Sequence, residues 1–351
     1  MHSQAVTAFG KPLADIESPT PEPRGTEVVV KVHHCGVCHS DVHLHDGHFD
    51  MGEGKQLDLS RTLKLPHTLG HEIEGEVVAL GPDAKGVTVG QRFAVFPWIG
   101  CGACPACLRG TEHLCAKPRQ LGCSSGVAGG YATHVLVPHP KYLLDYGKTE
   151  PALAATYMCS GVTAYTALKK VGALGPQDPL LILGVGGVGM MGVQFAQAVT
   201  GVRPLAADID EGRLSAARSA GATASYNSRE ADAADRIKAD TGDGVAVVVD
   251  FVGSEASLAF ATKVIRRGGR VVIVGLFGGA FSAPIPSFPM RQMALIGSYT
   301  GSLSEGEEMM ALVRAGSIRP IPIEKRPLAA ASRTLDDLRA GRVTGRVVLT
   351  P

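Results

Sequence analysis

The chain has 351 residues, enough for two domains with separate cores. Hydrophobic residues make up 45% and charged residues 19%, with a net charge of +1; this excludes a disordered chain and leaves no footprint for nucleic acid or an anionic membrane. No apolar run has the length of a membrane span, and Met1-His2-Ser3-Gln4 lacks the pattern of a secretory signal, so the expected compartment is the cytoplasm.

In chain order, residues 26–32, 73–80, 92–96 and 132–137 are β-branched or alternating runs, separated by turn signals such as Gly81-Pro82-Asp83. Helical periodicity is weak there, so the first part reads as mostly β. From about Ala152 the pattern changes. Short apolar runs at 180–183, 204–208, 245–250, 270–274 and 294–298 have the character of buried parallel strands. Helix-like stretches at 188–200, 211–220, 232–241 and 255–265 lie between them. This alternation predicts an α/β, doubly wound parallel sheet. After about Tyr299 the patterning is mixed again and ends in a strand-like run at 346–350, as for a tail that rejoins the first domain.

Gly184-Val185-Gly186-Gly187-Val188-Gly189 fits G-x-G-x-x-G. The pattern is weak alone in a chain with 44 glycines, and a simple tight turn is the rival reading. Context strengthens it: an apolar strand precedes it, an apolar helix follows, and Asp208 stands nineteen residues after Gly189. A dinucleotide pyrophosphate would sit at the helix N-terminus, and an acid at 208 would accept the ribose hydroxyls. A carboxylate there repels a 2′-phosphate, which favours NAD over NADP, although Arg213 five residues on softens that preference.

Eight cysteines occupy positions 35, 38, 101, 104, 107, 115, 123 and 159. In a reduced compartment, regularly spaced cysteines point to metal rather than disulfides. Cys101, Cys104, Cys107 and Cys115 fall within fifteen residues, in a lobe at about 95–116, and suit a closed tetrahedral zinc site. An iron–sulfur cluster shares the C-x2-C-x2-C spacing; the absence of a following proline and of a second such cluster disfavours it. Cys38, His71 and Cys159 each have a bland structural reading, and spacing alone does not connect them.

The motifs together resemble the zinc-containing alcohol dehydrogenases of the medium-chain dehydrogenase/reductase family, especially the bacterial and yeast type. They run nearly end to end: Gly-Val-Cys-His-Ser-Asp at 36–41, Gly-His-Glu at 70–72, the four-cysteine lobe, Cys-Ser-Gly-Val-Thr-Ala-Tyr at 159–165, the glycine fingerprint, and Thr-Gly-Arg-Val-Val at 344–348. The resemblance implies a GroES-like β-rich catalytic domain (1–160 and 297–351) and an inserted Rossmann coenzyme domain (161–296). It implies two zinc ions and NAD, with Cys38, His71 and Cys159 on the catalytic zinc, the ligand set for which alcohol dehydrogenases are known. Asp41 would orient His71, and Glu72 would be an acid close to the metal. Ser40 would take the alcohol's proton and His43 pass it through the cofactor ribose to solvent. His39 and Arg346 would contact the pyrophosphate, and the backbone of Val274, Gly275 and Leu276 the nicotinamide. Cys35, Cys123, His45 and His48 are read as structural or neutral, the histidines as surface loop residues.

The chain departs from the short yeast-type form between Phe49 and Leu65, where about ten extra residues, centred on 50–61, would lie near the pocket mouth. Phe49 and Trp98 are candidate pocket walls, which favours a bulky apolar or aromatic alcohol. The alternatives are a polyol or other specialised zinc dehydrogenase on the same scaffold, or a zinc-stabilised protein that binds NAD without turnover. The expected partner is a small-molecule alcohol or carbonyl, and the expected assembly a homo-oligomer, tetramer or dimer, with no nucleic acid and no membrane.

Overall fold

The alternating runs near the start of the chain pair into a seven-stranded sheet in the computed structural model, which describes residues 1–351. Its path runs Leu143–Leu144, Arg92–Val95, Glu72–Leu80, Val28–Gly36, Arg346–Thr350, Ile323–Pro327, with His134–Val137 also paired to Val28–Gly36. The C-terminal strand lies antiparallel to Val28–Gly36, with Val348 opposite Gly36 and Leu349 opposite Cys35. This pairing returns the tail to the first sheet and carries Arg346 with it.

The later apolar runs form a six-stranded, all-parallel sheet. Its order is Ser225–Asn227, Leu205–Asp208, Leu180–Leu183, Val245–Asp250, Ile265–Ile273, Ala294–Gly297. The order in which the chain lays down the strands reverses between the third and fourth positions, and ligands bind at the carboxyl ends of strands beside such a switch point. The glycine fingerprint leaves Leu180–Leu183 there. Every residue of Val245–Asp250 is buried, as a strand covered by helices on both faces requires.

Two helices that the sequence does not predict carry site residues. His39–Asp46 is mostly polar, so it shows no apolar period. Local caps make it instead: the Asp41 carboxylate accepts the Cys38 amide at 2.8 Å, and Gly47 ends the helix with φ 79°. A Cβ at Gly47 would meet the Phe9 ring at 2.7 Å, so the position admits only glycine on both counts. The second helix runs from Pro151–Thr156 through a π turn at Tyr157–Gly161 into Val162–Lys169. All residues from 152 to 162 are buried, which erases the amphipathic stripe that periodicity detects. The π turn holds Cys159, and such turns are frequent at functional positions.

The extra stretch at 50–61 is not a plain loop. Its first part closes a hairpin between His48–Asp50 and Gln56–Asp58. No helix of the chain is long and apolar enough to cross a membrane.

Candidate active site and metal centres

The sulfurs of Cys101, Cys104, Cys107 and Cys115 all lie within 4.8 Å of one another. Cys104 is 3.5 Å from Cys107 and 3.7 Å from Cys115, and Cys101 is 4.0 Å from Cys107. Four sulfurs at about 2.3 Å from one tetrahedral zinc stand about 3.8 Å apart, so the group fits a single ion. The irons of a cluster would hold the sulfurs further apart, which removes the iron–sulfur alternative. The backbone amides of Cys101 and Lys117 each donate to the Cys115 sulfur at 3.3 Å. Amide hydrogen bonds from Ala103 and Cys104 pull the Cys101 thiol down to about 6.

A second group forms where the two sheets meet. Cys38 leaves the strand Val28–Gly36, His71 precedes Glu72–Leu80, and Cys159 sits in the π turn; their ligand atoms lie within 4.8 Å of one another. The two sulfurs are 3.9 Å apart, again close to the edge of a zinc tetrahedron. Both ring nitrogens of His71 are buried and have no hydrogen-bond partner. Nδ1 lies 3.3 Å from Asp41 Oδ1, which leaves Nε2 as the free donor. Three donors fill three corners of a zinc tetrahedron, which would leave the fourth for substrate. A hydrogen bond from Cys159, followed by His71 and Arg346, holds Cys38 well below the ordinary thiol value.

Asp41 is buried and fully engaged. Besides the Cys38 amide it accepts the Tyr131 hydroxyl at 3.1 Å and the Gly70 amide at 3.3 Å. Gly70 has φ 95°, and a Cβ there would run into Tyr131 and the Cys35 sulfur. Cys35 is thus packed strand-end structure, as expected. Tyr131 went unnoticed in the sequence because nothing in its neighbourhood marks it.

Glu72 is fully buried and ion-paired with Arg346, itself 4% exposed. Burial pushes the Glu72 carboxyl up to about 7, although Arg346 pulls it down. The same arginine packs on the glycine turn, since a Cβ at Gly187 would stand 2.6 Å from Arg346 Cδ. Arg346 therefore joins the metal group to the nucleotide turn.

That turn is built as the fingerprint requires. Gly184 has φ 81°, Gly186 caps the helix Gly187–Thr200, and a Cβ at Gly189 would collide with the Gly184 carbonyl. Asp208 Oδ2 accepts the Val185 amide at 2.7 Å, and Oδ1 accepts Ile209 and Asp210 amides at 2.8 and 3.1 Å. Arg213 Nη1 is 3.9 Å from Asp208. At the end of the next strands Val274 is buried, Gly275 packs on the backbone of Val252 and Gly253, and Leu276 is exposed.

His39, Ser40 and His43 share one face of the first helix at spacings of three and four. Ser40 Oγ is 3.8 Å from the Cys38 sulfur. His43 stacks on Phe49 with ring centroids 4.6 Å apart, and His39 faces Phe277 at 5.4 Å. Burial, then the charge of His39, holds His43 below the ordinary imidazole value. Trp98 is buried, donates its indole N–H to the Met158 carbonyl at 2.8 Å, and lies 5.3 Å from the His71 ring. Tyr299, only a boundary marker in the sequence, packs edge-on to Trp98 at 5.9 Å. Cys123, read as structural or neutral, is half-buried and packs against the hydrophobic core.

One reading needs correction. His45 is not a surface loop residue: it is 6% exposed, inside the helix, bonded through Nε2 to the Lys11 carbonyl at 2.7 Å and through Nδ1 to Asp46 at 3.0 Å. Helical spacing turns it away from His43 and into the protein.

Comparison with known proteins shows the family. Residues 24–146 match the family model described as alcohol dehydrogenase GroES-like domain, and residues 187–315 match zinc-binding dehydrogenase. The NAD-dependent alcohol dehydrogenase of Sulfurisphaera tokodaii is 37% identical over 100% of both chains. The chain belongs to the zinc-containing medium-chain alcohol dehydrogenases. A crystal structure of an NAD-dependent alcohol dehydrogenase superposes with a TM-score of 0.89 at 29% identity, covering 100% of both chains. The acetophenone reductase of Geotrichum candidum, solved with NAD, gives 0.86 at 28% identity, covering 100% of this chain and 97% of that one. Like its relatives, this alcohol dehydrogenase uses zinc and NAD to interconvert alcohols and carbonyl compounds.

Proposed function

We propose that this dehydrogenase oxidises bulky apolar or aromatic alcohols, and reduces the matching carbonyls, in the cleft between the two sheets. The observation that carries the reading is the aromatic surround of the metal group: Trp98 beside His71, Tyr299 beside Trp98, and Phe49 over His43. Such a lining favours an apolar substrate body over a polyol. The reductase of Geotrichum candidum, named for an aromatic ketone, is a structural neighbour that covers the whole of this chain.

Cys38, His71 and Cys159 would hold the catalytic zinc, and Cys101, Cys104, Cys107 and Cys115 the structural one. Bound zinc supplies a Lewis acid that polarises the substrate oxygen. Asp41 orients His71 for that task, and Tyr131 and the Cys38 amide orient Asp41. Ser40 receives the proton of the alcohol, and His43 delivers it to solvent. Burial favours neutral His43, so it is ready to accept a proton near pH 7. Arg346 neutralises Glu72 next to the metal group and presents charge to the pyrophosphate end of the cofactor, with His39 opposite. The glycine turn, Asp208, Val274, Gly275 and Leu276 bind NAD, and Asp208 favours it over NADP.

We assign residues 1–160 and 297–351 to the catalytic domain and 161–296 to the coenzyme domain, following the membership of the two sheets. We also place the enzyme in the cytoplasm as a homo-oligomer. The edge strand Ala294–Gly297 has an unpaired side, and Ile285 and Met290 nearby are 81% and 72% exposed.

The test is NADH formation across primary, secondary, aromatic and polyhydric alcohols, with NAD and NADP in parallel. Highest kcat/KM for aromatic or long apolar alcohols with NAD is expected. Turnover confined to ethanol-sized alcohols or to polyols overturns the substrate assignment.

A further inference from the structure

We infer that Phe49 is a positioning residue for the proton relay, and that its hairpin is held in place by a glycine loop on the far side of the cleft. The inference rests on the relay role assigned to His43 above. Phe49 lies nearly parallel to the His43 ring, at 4.6 Å and 29°. It stands in the strand His48–Asp50, which pairs only with Gln56–Asp58. The latter strand is exposed at all three residues, with Leu57 52% exposed, and Met51 in the turn is 53% exposed. A two-stranded hairpin without a buried face is marginal in water, so something outside it must fix its position.

The contact that does so is reciprocal. Gly52, at φ 78°, abuts the loop after Ile265–Ile273: a Cβ there would overlap the Ala280 amide and stand 2.7 Å from Ala280 Cβ. From the other side Gly278, at φ 108°, abuts Asp50, with Cβ and O of Asp50 at 2.7 and 2.8 Å from where its own Cβ would be. The loop is itself tied to the parallel sheet, since the Phe277 and Gly278 amides donate to Val252 and Gly253 carbonyls at 3.2 and 3.1 Å. Gly54 provides the contrast. It has φ 75° in the same turn but faces open space, so turn geometry explains glycine at 54 and not the close approach at 52. Sheet, glycine loop, hairpin, Phe49 and His43 thus form one run of contacts. The relay imidazole takes its orientation only when the two sides of the cleft are docked.

Gly54→Ala and Gly52→Ala impose the same left-handed strain, but only the second pushes the hairpin off Ala280. Ala280→Leu attacks the contact without altering the hairpin. Imidazole resonances of the full-length zinc enzyme without cofactor, with His43 identified by its loss in His43→Gln, report the ring current of Phe49. The His43 shift should be lost in Phe49→Leu, Gly52→Ala and Ala280→Leu and kept in Gly54→Ala. In turnover, Gly52→Ala should lower kcat about tenfold relative to Gly54→Ala, with the KM for alcohol little changed, as misalignment of a reacting group does. Gly52→Ala with Phe49→Leu should be no slower than Phe49→Leu alone. Equal behaviour of Gly52→Ala and Gly54→Ala, or a Phe49→Leu effect confined to KM, overturns the inference. Unchanged turnover in His43→Gln would instead overturn the relay role, while the resonances still reported whether the contact exists.

Discussion

The two metal centres of this enzyme are built on opposite plans. The four-cysteine group takes every ligand from residues 101–115, whereas Cys38 and Cys159 are 121 positions apart and His71 comes from a third segment. Closing the short loops of the first centre costs little chain entropy, so a bound ion can organise the lobe almost alone. The second centre needs three distant segments packed together before its ligands meet. Its donors are already placed by the surrounding core, with Cys38, His71 and Cys159 all buried. On the roles proposed for them, the difference teaches where each metal would act: in the lobe it would make structure, and in the cleft it would be received by structure.

That contrast can be broken by experiment, and the largest effect belongs to the cleft. Cys38→Ser should reduce kcat/KM by more than about a thousandfold, because the polarising ion is lost. Metal analysis should still find one zinc per chain, and the melting temperature should fall by only a few degrees. A mutant that unfolds would show that the cleft ion is structural after all.

Cys104→Ser should do the reverse. Loss of the lobe ion should expose residues 101–115 to protease and lower the melting temperature strongly, since a structural zinc contributes about 10 kcal/mol or more to the segment it folds. Freshly prepared protein should retain most of its kcat. Immediate loss of turnover together with the cleft zinc would mean that the two centres are not independent.

Smaller effects sharpen the picture of the cleft. His43 is cationic below its pKa and neutral above it, and burial lowers that pKa from the ordinary value. As a proton acceptor it therefore works above a pKa lower than about 6.5, and kcat should rise with pH through that region and then level off. His43→Gln should lose this limb and about tenfold in kcat near neutral pH. A limb that persists in the variant would assign it to another group. Asp208→Asn keeps an oxygen for the Val185 amide but removes the charge; it should narrow NAD over NADP preference about tenfold, with Arg213 left to meet the 2′-phosphate. Tyr131→Phe removes one of the hydrogen bonds that fix Asp41 and should cost about 1 kcal/mol in stability. Zinc affinity of the cleft should fall with it, by about tenfold, readable by competition with a chelator.

Much of this was legible beforehand because it is local. The cysteine lobe, the glycine turn and the buried strands of the parallel sheet are each specified by residues near one another in the chain. The helices carrying Ser40, His43 and Cys159 were not legible, one being too polar and the other too thoroughly buried to show a period. Motif resemblance supplied Cys38, His71 and Cys159 as a set, which spacing could not.

What the sequence alone determined are the strands and helices of the parallel sheet, the glycine turn and the four-cysteine group, because backbone preference, side-chain period and short ligand spacing act over a few residues. What only the tertiary structure decided are the meeting of Cys38, His71 and Cys159, the Glu72–Arg346 pair, Tyr131 on Asp41, and the seat of Gly52 against Ala280. Each joins residues from separate segments, and tertiary packing between those segments, not the local chain, sets their distance.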